Sequence, residues 1–275
     1  MVSIENLSFN YSRHIVFKEV TMKLEKGKIY GLLGQNGVGK TTLLKIISGL
    51  LKPQNGKVDV LGHNPYERDP EFLSDIYFLP EEVRTPDIKV RDYALSRGQF
   101  YPKFDIAQFE RLLADFDVCG DIKFNSLSYG QQKKAMIAFA LSVNTSLILM
   151  DEPSNGLDIP SKTQLRKVIA QSSNDNVCIV ISTHQVRDLE NLIDPIIILD
   201  RNAVLMNASI DEISEKLFFG FSDKENKDAL YSEMTLGGYL NVEENTMNKE
   251  SKVNIEALFN ATLYNKEKVK KLFTK

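Results

Sequence analysis

The chain has 275 residues, of which 43% are hydrophobic and 26% are charged, a composition typical of a soluble globular protein with one or two domains. Its net charge of −3 excludes a strongly basic nucleic-acid-binding surface, and its longest apolar runs, such as residues 177–181, are too short to span a bilayer. Because the first residues lack a secretory signal and Cys119 and Cys178 show no metal-ligand or redox spacing, we expect a cytoplasmic protein.

The N-terminal region alternates apolar and polar residues, as antiparallel strands do. Val2–Tyr11 and Ile15–Leu24 form two predicted strands, and Lys57–Leu61 forms a third after a turn. Tyr11 has two interpretations: its ring packs on the β surface, or it offers a flat face on which a nucleotide base stacks. The phosphate-binding pattern described next favours stacking.

Residues 34–42 fit G-x-x-x-x-G-K-[ST], a loop whose backbone N–H groups bind phosphates. A predicted strand, Lys28–Leu33, precedes the loop, and a predicted helix, Thr41–Gly49, follows it. The free amides and the positive dipole end of that helix converge where a polyphosphate would lie. We therefore expect nine residues to bind phosphate: Gly34, Gln35, Asn36, Gly37, Val38, Gly39, Lys40, Thr41 and Thr42.

A short strand, Ile76–Leu79, is followed by Pro80 and the carboxylate pair Glu81-Glu82. This pair is either a solvated edge or part of a ligand site at the carboxyl ends of a parallel sheet. Helical patterns then follow at Val90–Tyr101 and after Asp105, which can cap a helix. We expect residues 84–144 to form an inserted helical subdomain.

Ser128 and Gln131 have the spacing of a capping box, which predicts that a helix begins there. Residues 135–141 of that helix are apolar nearly all round, so the helix must be buried. A plain capped helix explains Ser128 and Gln131 but gives no reason for Gly130 at the second helical position. A second anion-binding site is the alternative interpretation.

The apolar run Leu147–Met150 predicts a buried parallel strand that ends in Asp151 and Glu152. Carboxylates at the tip of such a strand need a partner, and an aspartate that holds Mg²⁺ would supply one. Glu152 would then accept a proton from water. His184 follows the next predicted strand and is either a structural residue or a contact to the γ-phosphate.

The last quarter of the chain predicts smaller elements. These are a strand at 196–199, a hairpin-like stretch near 203–206, a capped helix at 209–217, a charged linker at 221–227, a hairpin at 230–242, a helix capped by Asn254, and a solvated basic terminus at 266–275. We expect residues 218–275 to form a separate C-terminal extension.

The order of these parts resembles the ATP-binding subunit of an ABC transporter over about residues 2–217. The family signature, usually Leu-Ser-Gly-Gly-Gln, corresponds to Leu127–Gln131, the D-loop to Ser154–Asp158, the switch histidine to His184 and the adenine-stacking aromatic to Tyr11. The resemblance implies an α/β fold: a P-loop NTPase core of mainly parallel sheet, an N-terminal antiparallel β subdomain, the inserted helical subdomain and a small C-terminal α+β extension.

Two positions depart from the family pattern. Tyr129 replaces the first signature glycine, whereas Gly130 retains the second. Glu81 stands where the family has the Q-loop glutamine, with Glu82 as the alternative alignment. A carboxylate ligates Mg²⁺ at least as well as an amide does, so we expect nucleotide binding to survive.

The resemblance also implies an activity, which is ATP hydrolysis that drives an integral-membrane transporter subunit at the cytoplasmic face of the membrane. Two such subunits would sandwich ATP, each site using one subunit's phosphate loop and the other's Ser128, Gly130 and Gln131. Mg²⁺ would be held by Thr41, Glu81 and Asp151, and catalysis would depend on Lys40, Glu152 and His184. Residues 88–105 are similar to bacterial exporters of the bacitracin-resistance and lipid-exporter type, and residues 255–260 resemble the C-terminal extension of that branch. The alternative is a soluble ABC ATPase that acts on ribosomes, DNA or cofactor assembly.

Overall fold

The computed structural model describes residues 1–273. In this part of the chain the strands are β1 (Val2–Tyr11), β2 (His14–Leu24), β3 (Ile29–Leu33), β4 (Asn55–Val60), β5 (Ile76–Leu79), β6 (Leu147–Asp151), β7 (Cys178–Thr183), β8 (Ile196–Asp200), β9 (Ala203–Ala208), β10 (Leu217–Ser222), β11 (Tyr231–Thr235) and β12 (Gly238–Glu244). The helices are α1 (Lys40–Ile47), α2 (Pro70–Ser74), α3 (Val90–Gly98), α4 (Ile106–Asp115), α5 (Tyr129–Ser142), α6 (Ile159–Ser172), α7 (Ile210–Lys216), α8 (Ile255–Tyr264) and α9 (Lys266–Phe273).

The central sheet has the order β5-β6-β7-β3-β8-β9, and only its edge pair β8–β9 is antiparallel. Its central strands are buried along their length, which explains why their sequences are continuously apolar. Leu33 pairs with Thr183, and Asp151 pairs with Ser182. The phosphate loop and the two carboxylates therefore leave the sheet at the same edge, where ligands bind in open α/β sheets.

The predicted N-terminal antiparallel sheet is confirmed, with the order β2-β1-β4. The inward residues of β1, such as Ile4 and Leu7, are fully buried in one apolar cluster with residues of α1, including Leu44. This small sheet thus covers one face of the phosphate-loop helix and places Tyr11 near its start.

The middle region contains α3, α4 and α5 and packs around Phe139. The rings of Tyr77, Tyr93, Tyr101, Phe104 and Phe109 have centroids 5.3–6.3 Å from that of Phe139. Asp105 caps α4 by accepting hydrogen bonds from two backbone amides, as its position predicts. The aromatic cluster fixes the helical region to β5 and so to the site.

Three sequence-based predictions about the C-terminal region are wrong. Helix α7 ends at Lys216 instead of Leu217, and β10 occupies the first residues of the predicted charged linker. The predicted solvated basic terminus forms helix α9 in residues 266–273, and residues 274–275 lie outside the described part. Val269 of α9 is fully buried, and Leu272 and Phe273 on the same face pack against the core. The lysines between them obscured this apolar face in the sequence.

The predicted hairpin and the Asn254 cap are present as β11–β12 and α8. Sheet β10-β12-β11 and α8 contribute Leu240, Val242 and Leu258 to the same apolar cluster as Leu165 of α6. We still propose a division at residue 217, because β10 begins there and pairs only within its own sheet in the described residues. Within residues 1–273, none of the helices has the length and apolar character needed to span a membrane.

Candidate nucleotide-binding site

The phosphate loop joins β3 to α1 through backbone conformations that favour glycine. Gly37 and Gly39 have φ angles of 83° and 113°. A Cβ on Gly39 would also lie 2.7 Å from Val16 and 2.9 Å from Phe17. No side chain caps the N-terminus of α1, so the amides of its first turn stay available to an anion.

Lys40 folds back over this loop. Its Nζ donates hydrogen bonds to the carbonyl oxygens of Gly34, at 2.9 Å, and Gln35, at 3.4 Å. The same ammonium lies 3.4 Å from Oε1 of Glu152, and both side chains are buried. The positive charge is thus held between the loop and the Asp-Glu strand.

Asp151 connects three elements at the end of β6. Its Oδ2 accepts a hydrogen bond from Thr41 Oγ1 at 2.6 Å, and its Oδ1 accepts one from Ser182 Oγ at 2.5 Å. Within residues 1–273, no three His, Cys, Asp or Glu side chains gather closely enough to hold a metal by themselves. The Thr41–Asp151 pair fits the type of Mg²⁺ site in which the protein supplies one or two oxygen ligands, and substrate phosphates and water supply the others.

Glu152 is constrained through its backbone and its side chain. Its φ of 47° lies in the left-handed region, which is unfavourable for a residue with a side chain. Its amide donates to the carbonyl of Ser182 at 3.1 Å and is 3.0 Å from the Ser182 hydroxyl. Its Oε2 lies 3.0 Å from Nδ1 of His184 and its Oε1 faces Lys40, so both carboxylate oxygens have a fixed neighbour.

A cavity of about 350 Å³ lies over the loop and Glu152, and Asp151 is not among the residues that line it. Among the residues named from the sequence, its lining includes Tyr11, Asn36, Gly37, Gly39, Lys40, Thr41, Thr42, Glu81, Glu152 and His184. The sequence-based prediction missed His14, Val16 and Asn155, which also line it. Tyr11 is 46% exposed, and its hydroxyl is 3.5 Å from Thr42 Oγ1, which leaves ring surface open for stacking.

The signature residues Ser128, Gly130 and Gln131 do not line this cavity. Ser128 and Gln131 form the predicted capping box, with reciprocal hydrogen bonds of 3.3 and 3.0 Å. Of the remaining loop residues, Gly34 and Gln35 contribute their carbonyl groups to Lys40, and Val38 is partly buried. The structure therefore brings the loop and the Asp-Glu strand together, whereas Ser128, Gly130 and Gln131 are not part of the cavity lining of their own chain.

The two departures from the family pattern, Tyr129 and Glu81, are in contact. Tyr129 donates its hydroxyl hydrogen to the Glu81 carbonyl at 3.1 Å. Its ring also packs against Gly156, since a Cβ added to Gly156 would lie 2.9 Å from a ring carbon of Tyr129. Asn155 donates its side-chain amide to Glu81 Oε1 at 2.8 Å. Burial raises the pKa of Tyr129, so the hydroxyl stays protonated and remains a donor. Tyr129 thus lies against Glu81 and Gly156 of its own chain, the positions that the sequence comparison with the family aligns with the Q-loop and the D-loop.

Lys133 is a further residue that sequence analysis missed. Its side chain is fully buried (0% exposed), and burial lowers its pKa from 10.5 to about 8. The available signal was its position two residues after the signature, shortly before the apolar residues 135–141 of a helix that must be buried.

Comparisons with known proteins agree with this geometry. The sequence model of the family described as ABC transporter matches residues 17–155, about half of the chain. The chain belongs to the ABC transporter family. The match begins in β2 and spans the phosphate loop, the signature and the Asp-Glu strand.

Relatives within the ABC transporter family cover most of the chain. The ABC transporter ATP-binding protein YtrB of Bacillus subtilis is 28% identical over 220 residues, which is 78% of this chain and 74% of that protein. An uncharacterised ABC transporter ATP-binding protein of Methanocaldococcus jannaschii is 28% identical over 225 residues, 79% of this chain and 81% of that protein. The structure of an ATP-binding subunit of an ABC transporter superimposes with a TM-score of 0.70 at 25% identity, covering 78% of this chain and 91% of the other. A putative ABC transporter ATP-binding protein from Pyrococcus furiosus gives 0.61 at 30% identity, covering 71% and 96%.

The predicted family and the predicted α/β P-loop NTPase fold are therefore confirmed. The chain is an ATP-binding subunit of ABC transporter type and, as a member of that family, an ATP hydrolase. The roles of its individual residues stay predictions.

Proposed function

We propose that this chain hydrolyses ATP to drive a membrane-embedded transporter subunit. The observation that carries the proposal is the position of Glu152, which lies in the cavity of the phosphate loop with its carboxylate between Lys40 and His184. A buried carboxylate held at the phosphate end of a nucleotide cavity is placed to orient and deprotonate an attacking water.

The other residues divide the remaining tasks. Tyr11 offers its exposed ring to the adenine, and residues 34–42 bind phosphates through backbone amides and the Lys40 ammonium. Glu152 acts as the base, and His184 orients the Glu152 carboxylate and contacts the γ-phosphate. Thr41, Asp151 and Glu81 would hold Mg²⁺ directly or through water. The ion, when bound, would neutralise charge on the β- and γ-phosphate oxygens.

A second copy of the chain would complete the site. Ser128, Gly130 and Gln131 lie outside the cavity of their own chain, yet the N-terminal amides of α5 suit a phosphate. We infer a homodimer in which the α5 N-terminus of one subunit closes over the γ-phosphate bound by the other. Two solved structures of an ABC transporter cassette with the same fold, at 23% identity, are dimeric.

A groove of about 680 Å³ between the central sheet and the helical region is our candidate contact to the membrane subunit. Its lining is largely apolar and aromatic, and it includes Leu50 and Phe100, which are 51% and 62% exposed. Part of its lining, including Tyr93 and Phe100, lies within residues 81–104, which connect the proposed Mg²⁺ ligand Glu81 to the aromatic helical region. An exposed apolar groove of this size is typical of a protein interface, and it suits an apolar segment of a membrane protein.

The proposed location is the cytoplasmic face of the cell membrane, and export is the proposed direction because of the similarity of residues 88–105 to exporters. The Staphylococcus aureus energy-coupling factor transporter ATP-binding protein EcfA2 is 28% identical over 243 residues, so a transporter context recurs among the relatives. The soluble alternative would use the same ATP site but no membrane subunit.

Pull-down of the full chain from solubilised membranes tests this function. We expect an integral-membrane protein to co-purify and Phe100→Asp to abolish its recovery. Phe221→Asp is a matched control, since Phe221 is similarly exposed (68%) but lies in the C-terminal extension. Recovery with ribosomes or DNA alone would reject the transport function and favour the soluble alternative.

A further inference from the structure

Lys133 contacts the loop that follows the Asp-Glu strand. Its Nζ donates hydrogen bonds to the carbonyl oxygens of Glu152, at 2.7 Å, and Asn155, at 2.9 Å. These residues begin and end a turn that is closed by a 3.2 Å hydrogen bond from the Asn155 amide to the Glu152 carbonyl. One ammonium therefore binds the first and the last carbonyl group of the four-residue turn that carries the proposed base.

The Lys133 contact stabilises an unfavourable backbone conformation at Glu152. Glu152 has a φ of 47°, a conformation that is unfavourable for a residue with a side chain and persists only when its surroundings enforce it. Ser182 holds the amide side of Glu152, whereas Lys133 holds its carbonyl side. With both peptide groups fixed, the carboxylate is aimed at Lys40 and His184 instead of turning away from the cavity.

A merely structural explanation accounts poorly for Lys133. Its side chain is wholly buried, and burying an ammonium without a carboxylate within ion-pair distance is unfavourable. The neighbouring residues of α5, such as Ala135 and Met136, fill the core with apolar side chains. Compared with an apolar residue, Lys133 adds hydrogen-bond donors for two carbonyl groups of the turn that follows the Asp-Glu strand, one buried and one partly buried.

The same turn is connected to the proposed metal side of the site. Asn155, whose carbonyl binds Lys133, donates its side-chain amide to Glu81, and Tyr129 donates to the Glu81 carbonyl. Tyr129 and Lys133 both belong to the first turns of α5, the helix whose N-terminus would face the partner's nucleotide. The start of α5 is thereby joined to the base and to Glu81 of its own subunit.

We propose that Lys133 is a positioning residue: it holds the Glu152–Asn155 turn so that the Glu152 carboxylate stays in the ATP cavity of the same subunit. This inference rests on the proposed ATPase function and adds a residue to it. Lys133 touches neither the nucleotide cavity nor the reacting atoms, and acts through the backbone of Glu152.

ATPase kinetics of full-length Lys133→Met test the inference, since methionine keeps the apolar stem and removes all donors. We expect kcat to fall about 10–100-fold, the size of effect seen when a supporting residue is lost. The KM for ATP should change less than about threefold, because the phosphate loop and Tyr11 are untouched. Lys134→Met is the matched control, since Lys134 donates to the Phe116 carbonyl, away from the cavity, and its rate should match the parent.

A double variant separates positioning from general stability. In a Glu152→Gln background the carboxylate is already lost, so adding Lys133→Met should lower the residual rate less than twofold. An equal fall in both backgrounds, or an unchanged kcat in the single variant, would overturn the inference. An inactive parent protein would instead reject the proposed function.

Discussion

Replacement of Glu152 by glutamine removes the proposed base while keeping the size and shape of its side chain. We expect kcat for ATP hydrolysis to fall by about 10²–10⁴-fold, the usual contribution of a general base, which equals about 3–5 kcal/mol of barrier. The structure favours a large effect, because Glu152 is buried and both of its carboxylate oxygens face cavity-lining residues, Lys40 and His184.

The same substitution has a separable effect on stability. In the nucleotide-free protein Lys40 would lose its 3.4 Å contact to a carboxylate and keep its two carbonyl acceptors. The free energy of unfolding should fall by about 1–2 kcal/mol, near the lower bound for a hydrogen bond to a charged group. For a chain of this size that corresponds to a decrease in Tm of about 2–6 °C. ATP should restore the difference, because phosphate oxygens then neutralise Lys40.

Phosphate release measures the first effect, and thermal unfolding with and without ATP measures the second. The Glu152→Gln protein should bind ATP at least as tightly as the parent and accumulate as a dimer, because binding no longer brings phosphate against a carboxylate. Glu82→Gln is the matched control: Glu82 is exposed, lies outside the cavity, and should leave both quantities unchanged. Hydrolysis at the parent rate would refute the assignment of the base. A fall in rate for Glu82→Gln would favour the alternative Q-loop alignment.

Three further predictions concern the loop, the thiols and the aromatic cluster. Lys40→Ala should weaken ATP binding by at least about 100-fold in a titration, because the variant loses a buried ammonium that would bind phosphate. Undiminished ATPase activity of this variant would contradict the role of Lys40. Cys119 is exposed and should react rapidly with a thiol reagent at pH 8. Cys178 should react slowly, because burial raises its pKa to about 12 and roughly one Cys178 side chain in 10⁴ is then a thiolate at pH 8. Two rapidly reacting thiols in the native protein would contradict this prediction. Phe139→Ala should lower the free energy of unfolding by about 3–5 kcal/mol in urea titrations, because the Phe139 ring is buried among five other rings. A decrease of less than about 1 kcal/mol would contradict its central position.

The sequence by itself determined the family, the sheet type and most of the local structure. Residues 34–42 specify their own loop, because positive φ angles need glycine and phosphates need free amides at a helix start. The Ser128–Gln131 capping box was equally readable, since it depends on neighbours three residues apart. Continuously apolar strands such as Leu147–Met150 predicted a sheet covered on both faces.

In the C-terminal region, local sequence patterns did not predict the secondary structure correctly. Strand β10 depends on its pairing with β12, and the buried side of α9 depends on its contact with the core. The lysines around Val269 obscured the apolar side of α9 in the sequence. Residues 223–227 and most residues of α9 are charged or polar, so composition favoured a linker and a solvated tail.

Only the tertiary structure decided which residues share the site. Asp151 and Thr41 are 110 positions apart, and their hydrogen bond exists because β3 and β6 flank β7 in one sheet. Lys133 is 19 and 22 positions from the two carbonyl groups it binds, and no periodicity marks such a contact. Local propensities act over a few residues, whereas a buried ammonium is satisfied by whichever carbonyl groups the fold brings to it.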